Sequence, residues 1–242
     1  MIRYNVVNIR TATLSDWDHI SNISKISGYL DYINNIGPSY INDGMVIVGE
    51  DYGTITGFLK IEELIDNTSW LGGLRVHPDY RRKGIALQLT KEAVNMGKVR
   101  GHTAARILVS TDNLASLELS KKSGFTIVSE QLFYSGFPDL NNGNYVSPVK
   151  DKLINYGWKY GYWTIDEFGP KVDFVKENDV VYSIIKEVDQ QSSYAQILSG
   201  EGEIKLHGDG VTSIDKKLGD KININGRPME GFTNAYILEI KL

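Results

Sequence analysis

Apolar positions along this chain switch between two periods. Short runs rich in β-branched residues, Met45-Val-Ile-Val-Gly-Glu50 and Thr54-Ile-Thr-Gly-Phe-Leu-Lys-Ile-Glu62, flank Asp51-Tyr-Gly53, and that turn chemistry predicts a hairpin. Asn5–Thr11, residues 69–77, Ala105–Ser110 and Phe125–Ser129 read as further strands. Elsewhere the spacing lengthens to three and four. Trp17, Ile20, Ile23 and Ile26 predict a helix behind Ser15-Asp-Trp-Asp18, which fits a capping box. A looser helical stretch covers Tyr29 to Ile36 and ends at Gly37-Pro38. Ala86 to about Met96 predicts another helix, with Leu87, Leu89, Ala93, Val94 and Met96 inward. Leu117–Lys122 is a short helix, followed by Gly124 where a left-handed C-cap belongs. Residues 1–135 therefore run β-α-α-β-β-β-α-β-α-β, an α/β (α+β) order.

Past Phe133 the chain is rich in turn formers, and a linker or long loop is expected over 136–149. From 150 to 242 a short helix (Lys150 to Tyr156) precedes strand-like pieces at Tyr160–Ile165, Val180–Ile185, Tyr194–Leu198, Glu203–Leu206, Lys221–Ile224 and Ala235–Ile240. These predict a second, smaller β-rich α+β domain. The aromatic concentration Tyr156-Gly-Trp158-Lys-Tyr160-Gly-Tyr162-Trp163 reads as strand packing or as an aromatic wall at the domain boundary.

Composition narrows the function. At 242 residues and 41% hydrophobic, the chain can bury one large core or two small ones. The absence of cysteine excludes disulfides, thiolate chemistry and cysteine zinc sites, and no pair of the 4 histidines has metal-ligand spacing, so no metal is expected. His19 and His102 read as surface positions, and His77 as a solvated turn residue. A net charge of −4, with both halves similarly balanced, argues against nucleic acid as partner. The start Met-Ile-Arg-Tyr-Asn lacks the apolar run of a signal peptide, and no apolar stretch approaches a membrane span, so a soluble, cytoplasmic protein with no membrane partner is expected.

The chemistry is concentrated in Trp70-Leu-Gly-Gly-Leu-Arg-Val-His-Pro-Asp-Tyr-Arg-Arg-Lys-Gly-Ile-Ala-Leu-Gln-Leu-Thr90, a strand, a short turn and a basic glycine loop that opens a helix. A helix N-terminus offers unpaired N–H groups and partial positive charge to an anion. In Arg81-x-x-Gly84-x-Ala86, Gly84 and Ala86 let a ligand approach the backbone closely. Downstream come the strand Ala105–Ser110, then Thr111-Asp-Asn113-Leu-Ala115-Ser116, a short helix and Ser123-Gly124-Phe125. Both segments, in this order and at this separation, resemble the signature of the GCN5-related N-acetyltransferase (GNAT) superfamily. The resemblance covers a little over half the chain and implies a GNAT fold, a mixed, mostly antiparallel sheet flanked by helices. A few members carry a second, degenerate GNAT-like half, which residues 150–242 resemble only in outline.

The resemblance implies acetyl transfer from acetyl-CoA, as co-substrate, to an amine. Backbone N–H groups of Arg82, Lys83, Gly84, Ile85 and Ala86 would take the pyrophosphate, with Arg81, Arg82 and Lys83 adding charge. Backbone groups of Leu74, Arg75 and Val76 would pair with the pantetheine arm, and Gly72-Gly73 would mark a bulge, or else close packing in a strand interior. Asn113 matches a cofactor-arm contact, or is a helix cap. The acid and base depart from the family. Its two glutamate positions hold Trp70 and Leu108, and the tyrosine that protonates the leaving thiolate aligns with Ser120. Glu62 and Glu63 are the nearest replacement bases, or else surface carboxylates; Tyr134 is a replacement acid, or else a packed phenol; Ser120 is a hydrogen-bond donor; and a water-relayed base or the substrate's own amine stays open.

The expected activity is thus an acetyl-CoA-dependent N-acetyltransferase acting on a small amine, amino acid or peptide N-terminus. The alternatives are a non-catalytic acetyl-CoA-binding sensor, and a chain whose C-terminal half drives homodimerisation or binds a protein partner.

Overall fold

The computed structural model of the protein describes residues 7–28, 32–42, 45–64, 66–147, 172–185 and 193–242. The first part runs β1 (Asn8–Thr11), α1 (Trp17–Ile26), α2 (Tyr32–Ile36), α3 (Ser39–Asn42), β2 (Met45–Asp51), β3 (Thr54–Glu63), β4 (Ser69–Val76), α4 (Ile85–Val99), β5 (Ala104–Ser110), α5 (Leu114–Lys122) and β6 (Thr126–Pro138). There follow β7 (Asn144–Tyr145), β8 (Asp173–Glu177), β9 (Val180–Ile185), β10 (Tyr194–Ser199), β11 (Gly202–Asp215), β12 (Ile222–Asn225), β13 (Arg227–Pro228) and β14 (Asn234–Lys241).

The strands form one mixed sheet in the order β1-β2-β3-β4-β5-β14-β6-β11-β10-β9-β8-β7. Most neighbours are antiparallel; β4 and β5 are parallel. The two faces of the first part are covered by different helices, because the strands are apolar on both sides. Ile47, Leu59, Ile61 and Leu71 pack with Ile85, Leu89 and Ala93 of α4. Val46, Val48 and Phe58 pack with Ile20 and Ile23 of α1, Ile33 of α2, and Tyr40 and Ile41 of α3. A third cluster, including Val175, Tyr182, Ile184, Ile197, Ile214 and Ile222, fills the β-rich region between β6 and β14.

The structure differs from the sequence reading at several points. The capping box belongs to Thr13 and Asp16, not to Ser15 and Asp18, because a single 3-10 turn (Leu14–Asp16) precedes α1 and moves the helical entry upstream. The linker expected over 136–149 begins inside β6, which β11 extends by pairing with it through Pro138. The strand that closes the first sheet comes from the chain's far end: β14 pairs with β5 on one side (Ile237 opposite Leu108) and with β6 on the other (Ile237 opposite Ser129). β8 had no counterpart in the reading. The helix expected over 150–156, the strand over 160–165 and the aromatic run 156–163 lie outside the described residues. His102 is buried, not a surface residue: its backbone N–H binds the Gly97 carbonyl and its Nδ1 lies 2.5 Å from Ser69 Oγ. Among the described residues, no helix is long and apolar enough to cross a membrane.

Candidate functional site

The two parallel strands at the middle of the sheet part company almost at once. β4 and β5 pair at Ser69–Ala105 and Trp70–Arg106, and from Leu71 onward β4 has no partner on that side among the described residues. Six residues of open edge, about 20 Å of backbone, present N–H and C=O groups to whatever lies in the gap. Opposite β3 the register jumps from Lys60–Gly72 to Phe58–Arg75, so Gly73 and Leu74 together face Leu59 in a bulge. Gly73 holds φ +60, and a methyl group there would overlap the Tyr40 hydroxyl and stand 3.2 Å from that of Tyr32. The resulting cleft, about 440 Å³, is bounded by Gly72–Arg75 of β4, Ile107–Ser110 of β5, Asn113 to Ser120 around α5, Tyr32, and Gly231 and Phe232 of the turn into β14.

One end of the open edge leads into the basic loop. Arg82 (φ 62) and Gly84 (φ 80) both adopt left-handed backbone, and Gly84 is the N-cap of α4. Arg81 ahead of them is extended, and the two left-handed residues fold the loop into a tight, nest-like turn against the start of α4. The first turn of α4 adds N–H groups that no helical carbonyl can satisfy. Arg81 does a different job from the one expected. Its guanidinium binds the Ser27 carbonyl at the end of α1 (3.0 Å) and the Val76 carbonyl (3.3 Å), fastening the loop to its two neighbours. Arg82 and Lys83 are exposed, with the Lys83 ammonium 4.5 Å from the Tyr80 ring centre.

The other expected residues divide sharply. Leu74, Arg75 and Asn113 line the cleft, while the side chain of Val76 packs toward α4. Ile85 is a core residue of α4, so only its backbone is at the loop. Asn113 is the N-cap of α5: its Oδ1 accepts from the Ser116 N–H at 3.1 Å. Ser120 lines the cleft, but its hydroxyl donates to the Ser116 carbonyl at 2.6 Å. Glu62 lies beneath α3, its Oε1 3.7 Å from the ammonium of the fully buried Lys60, which stands over the Tyr40 ring. Glu63 points to the α4 face, 3.4 Å from His102 Nε2. Tyr134 packs against the cluster of the β-rich region. Glu62, Glu63 and Tyr134 are therefore not brought into the cleft. Trp70 and Leu108 stand at the two family glutamate positions; Trp70 is buried, and Leu108 lines the cleft with Phe232.

Sequence reasoning missed Tyr32, Asp112 and Phe232. Tyr32 opens a helix inside the stretch that the sequence predicts, but no local signal tells that its ring reaches the cleft. Phe232 reaches the cleft only because β14 inserts beside β5, more than 120 residues along the chain.

Comparison with known proteins fits this geometry. Residues 12–125 match the family model described as acetyltransferase (GNAT) family. No curated protein matches the chain. A protein of Thermoplasma acidophilum described as an acetyltransferase superposes over 98% of this chain and 100% of its own, with a TM-score of 0.61 and 21% identity, so the two share the whole fold, β-rich region included. Two more solved structures overlap part of the chain. The ribosomal-protein-S18-alanine N-acetyltransferase of Escherichia coli (18% identity, TM-score 0.48) covers 55% of this chain and 85% of its own. The yncA protein of Salmonella typhimurium, solved with acetyl-CoA (22% identity, TM-score 0.45), covers 52% and 83%.

Proposed function

From the premise that residues 12–125 belong to the acetyltransferase (GNAT) family, we propose that this enzyme transfers acetyl from acetyl-CoA to a primary amine. The observation that carries the proposal is the continuity of the open β4 edge with the anion nest at the start of α4, inside the matched segment. The chain's groups fit acetyl-CoA. The N–H groups from Arg82 to Ala86 would take the pyrophosphate, and Arg82 and Lys83 add exposed positive charge. The backbone of Leu74 and Arg75 offers strand-like pairing to the amide-bearing arm, and the bulge at Gly73 ends that track. Bound acetyl-CoA supplies an acetyl group activated as a thioester. The protein's part is to hold the acceptor against that group and keep it uncharged. Leu108 and Phe232 give the acceptor side an apolar wall, which disfavours the ammonium form by desolvation. An α-amino group with a pKa near 8 needs little further help. The amine is a small molecule, an amino acid or a peptide N-terminus.

Calorimetric titration with acetyl-CoA, wild type against Gly84→Asp, tests the cofactor half. Left-handed strain and a carboxylate in the nest should weaken binding by at least about tenfold. A wild type that does not bind acetyl-CoA refutes the proposal. Thioester consumption across a panel of primary amines tests the rest, and binding without turnover on any amine would favour a sensor.

A further inference from the structure

We propose that Arg81 is a positioning residue for the cofactor loop rather than a charge for the pyrophosphate, an inference that rests on the acetyl-transfer reading above. Its guanidinium reaches two carbonyls from different layers of the fold. Nη2 donates to the Ser27 carbonyl at 3.0 Å, at the end of α1, and Nε donates to the Val76 carbonyl at 3.3 Å, at the end of β4. A planar fork with several N–H groups suits two acceptors held at once, whereas an ammonium is a point charge on a flexible stem.

Both anchors are themselves fixed. The Ser27 N–H binds the Ile23 and Ser24 carbonyls, and its hydroxyl donates to the Ser24 carbonyl at 2.7 Å, which closes the last turn of α1. A cation on the final carbonyl of a helix also matches the helix dipole. On the other side, Val76 lies opposite Gly57 of β3, where an added Cβ would stand 3.2 Å from the Val76 side chain. The next N–H, of His77, binds the Thr56 carbonyl at 2.9 Å.

What these anchors hold is a strained turn. Arg82, next to the tether, sits at φ 62 without being a glycine, and Gly84 at φ 80 opens α4. Left-handed backbone at such a residue persists only where the surroundings over-determine it. Tyr80 and Ile85 pack on the core at the two ends of the turn, and the side chains of Arg82 and Lys83 are exposed. Between those ends, Arg81 is the residue whose side chain ties the turn to α1 and β4. A loop already held in shape spares a ligand the entropy of ordering it.

The test is acetyl-CoA titration by calorimetry of the full chain carrying Arg81→Lys, Arg81→Gln or Lys83→Gln, each in low salt and in about 0.5 M salt. Loss of the fork should weaken binding by about tenfold in both Arg81 variants, although Lys keeps the charge, and equally at both salt levels. Lys83→Gln removes an exposed charge, so its loss of about two- to threefold in low salt should vanish in high salt. Without ligand, both Arg81 variants should melt within about 3 °C of wild type. In an Arg82→Gly background, where left-handed backbone is free of strain, Arg81→Lys should weaken binding by about threefold at most. An undiminished loss there overturns the inference. Wild-type affinity in Arg81→Lys, or a loss that fades with salt, also overturns it and makes Arg81 a charge on the ligand. A large fall in the unliganded melting temperature overturns it too, by making Arg81 a structural residue. In each of these cases the acetyl-transfer reading stands, whereas a wild type that does not bind acetyl-CoA overturns that reading and the inference with it.

Discussion

The bulge at Gly73 makes a demand that a single methyl group can measure. Gly73 sits at φ +60, and an added Cβ would overlap the Tyr40 hydroxyl, with the ring carbon Cζ at 3.4 Å. Left-handed backbone costs an alanine about 1–2 kcal/mol. Forcing a methyl into a filled space costs roughly 1–3 kcal/mol more. Gly73→Ala should therefore lose about 3 kcal/mol, which for a chain of this size is a fall in Tm of roughly 6–12 °C. Gly53 is the internal standard: its φ is +79, yet nothing lies within 4 Å of its Cβ position. Gly53→Ala should show the strain alone, about 1 kcal/mol and roughly 2–4 °C. Combining Gly73→Ala with Tyr40→Phe removes the oxygen that the methyl strikes, and the cycle should show a favourable coupling of about 1–2 kcal/mol. Thermal unfolding of the five proteins (wild type, Gly73→Ala, Gly53→Ala, Tyr40→Phe and the double variant), with acetyl-CoA titration of each, gives the answer. Equal losses at Gly53 and Gly73 with no coupling to Tyr40 would refute the close approach, and the placement of Tyr32 beside it.

Three further outcomes are expected. The Arg10 guanidinium, at 2.8 and 2.9 Å, and the Thr13 N–H hold the Asp16 carboxyl down from 3.8 to about 2. A lowered pKa in the fold gives stability that is present above about pH 4 and lost as pH falls toward 2. Asp16→Asn should cost about 1–2 kcal/mol at pH 7, discounted for the half-open partner, and its melting curve should converge with wild type near pH 2; a constant gap would contradict this. On the alkaline side, kcat/KM should rise with pH to the acceptor's own pKa, and Asp112→Asn should leave that limb in place; a limb independent of the amine would point to a protein base. Ending the chain at Thr233 removes β14 and exposes the facing edges of β5 and β6, so cooperative unfolding by near-ultraviolet circular dichroism should disappear; a cooperative melt would show that the first part of the sheet closes without it.

Where the signal was local, the sequence was legible. Asp51-Tyr-Gly53 does turn β2 into β3, Gly124 does follow α5 in left-handed backbone, Asn113 does cap α5, and Gly72-Gly73 does mark a bulge. Each is fixed by residues within a few positions of one another. What failed needed a partner from far away. Phe125–Ser129 reads as the start of a strand and 136–149 as a linker or long loop, because Gly136 and Pro138 look like turn formers, yet β11 pairs with β6 through Pro138. Glu62 was a reasonable base by strand register, since it lies directly opposite Trp70. Its pairing with buried Lys60 beneath Tyr40 depends on α3, which the sequence hardly announces. The same helix region supplies Tyr32, so the missed cleft residue and the misplaced Glu62 have one cause.

The topology explains why cofactor and acceptor sides differ in legibility. Every element that holds the open β4 edge and the nest lies between β3 and α4, close in sequence and in the matched segment. The proposed acceptor wall includes Gly231 and Phe232, which reach the cleft where β14 lies between β5 and β6 after the β-rich region. Closing a loop of that length costs entropy that only the double pairing of β14 offsets. The cofactor half is therefore expected to order before the acceptor wall is in place. Among the described residues, the insertion touches the cleft through one short turn, Gly231 and Phe232. Selectivity for the amine is thus expected to follow Phe232 and its Phe133 support, whose rings meet edge-on at 5.0 Å. Acetyl-CoA affinity is expected to follow the loop from Arg82 to Ala86.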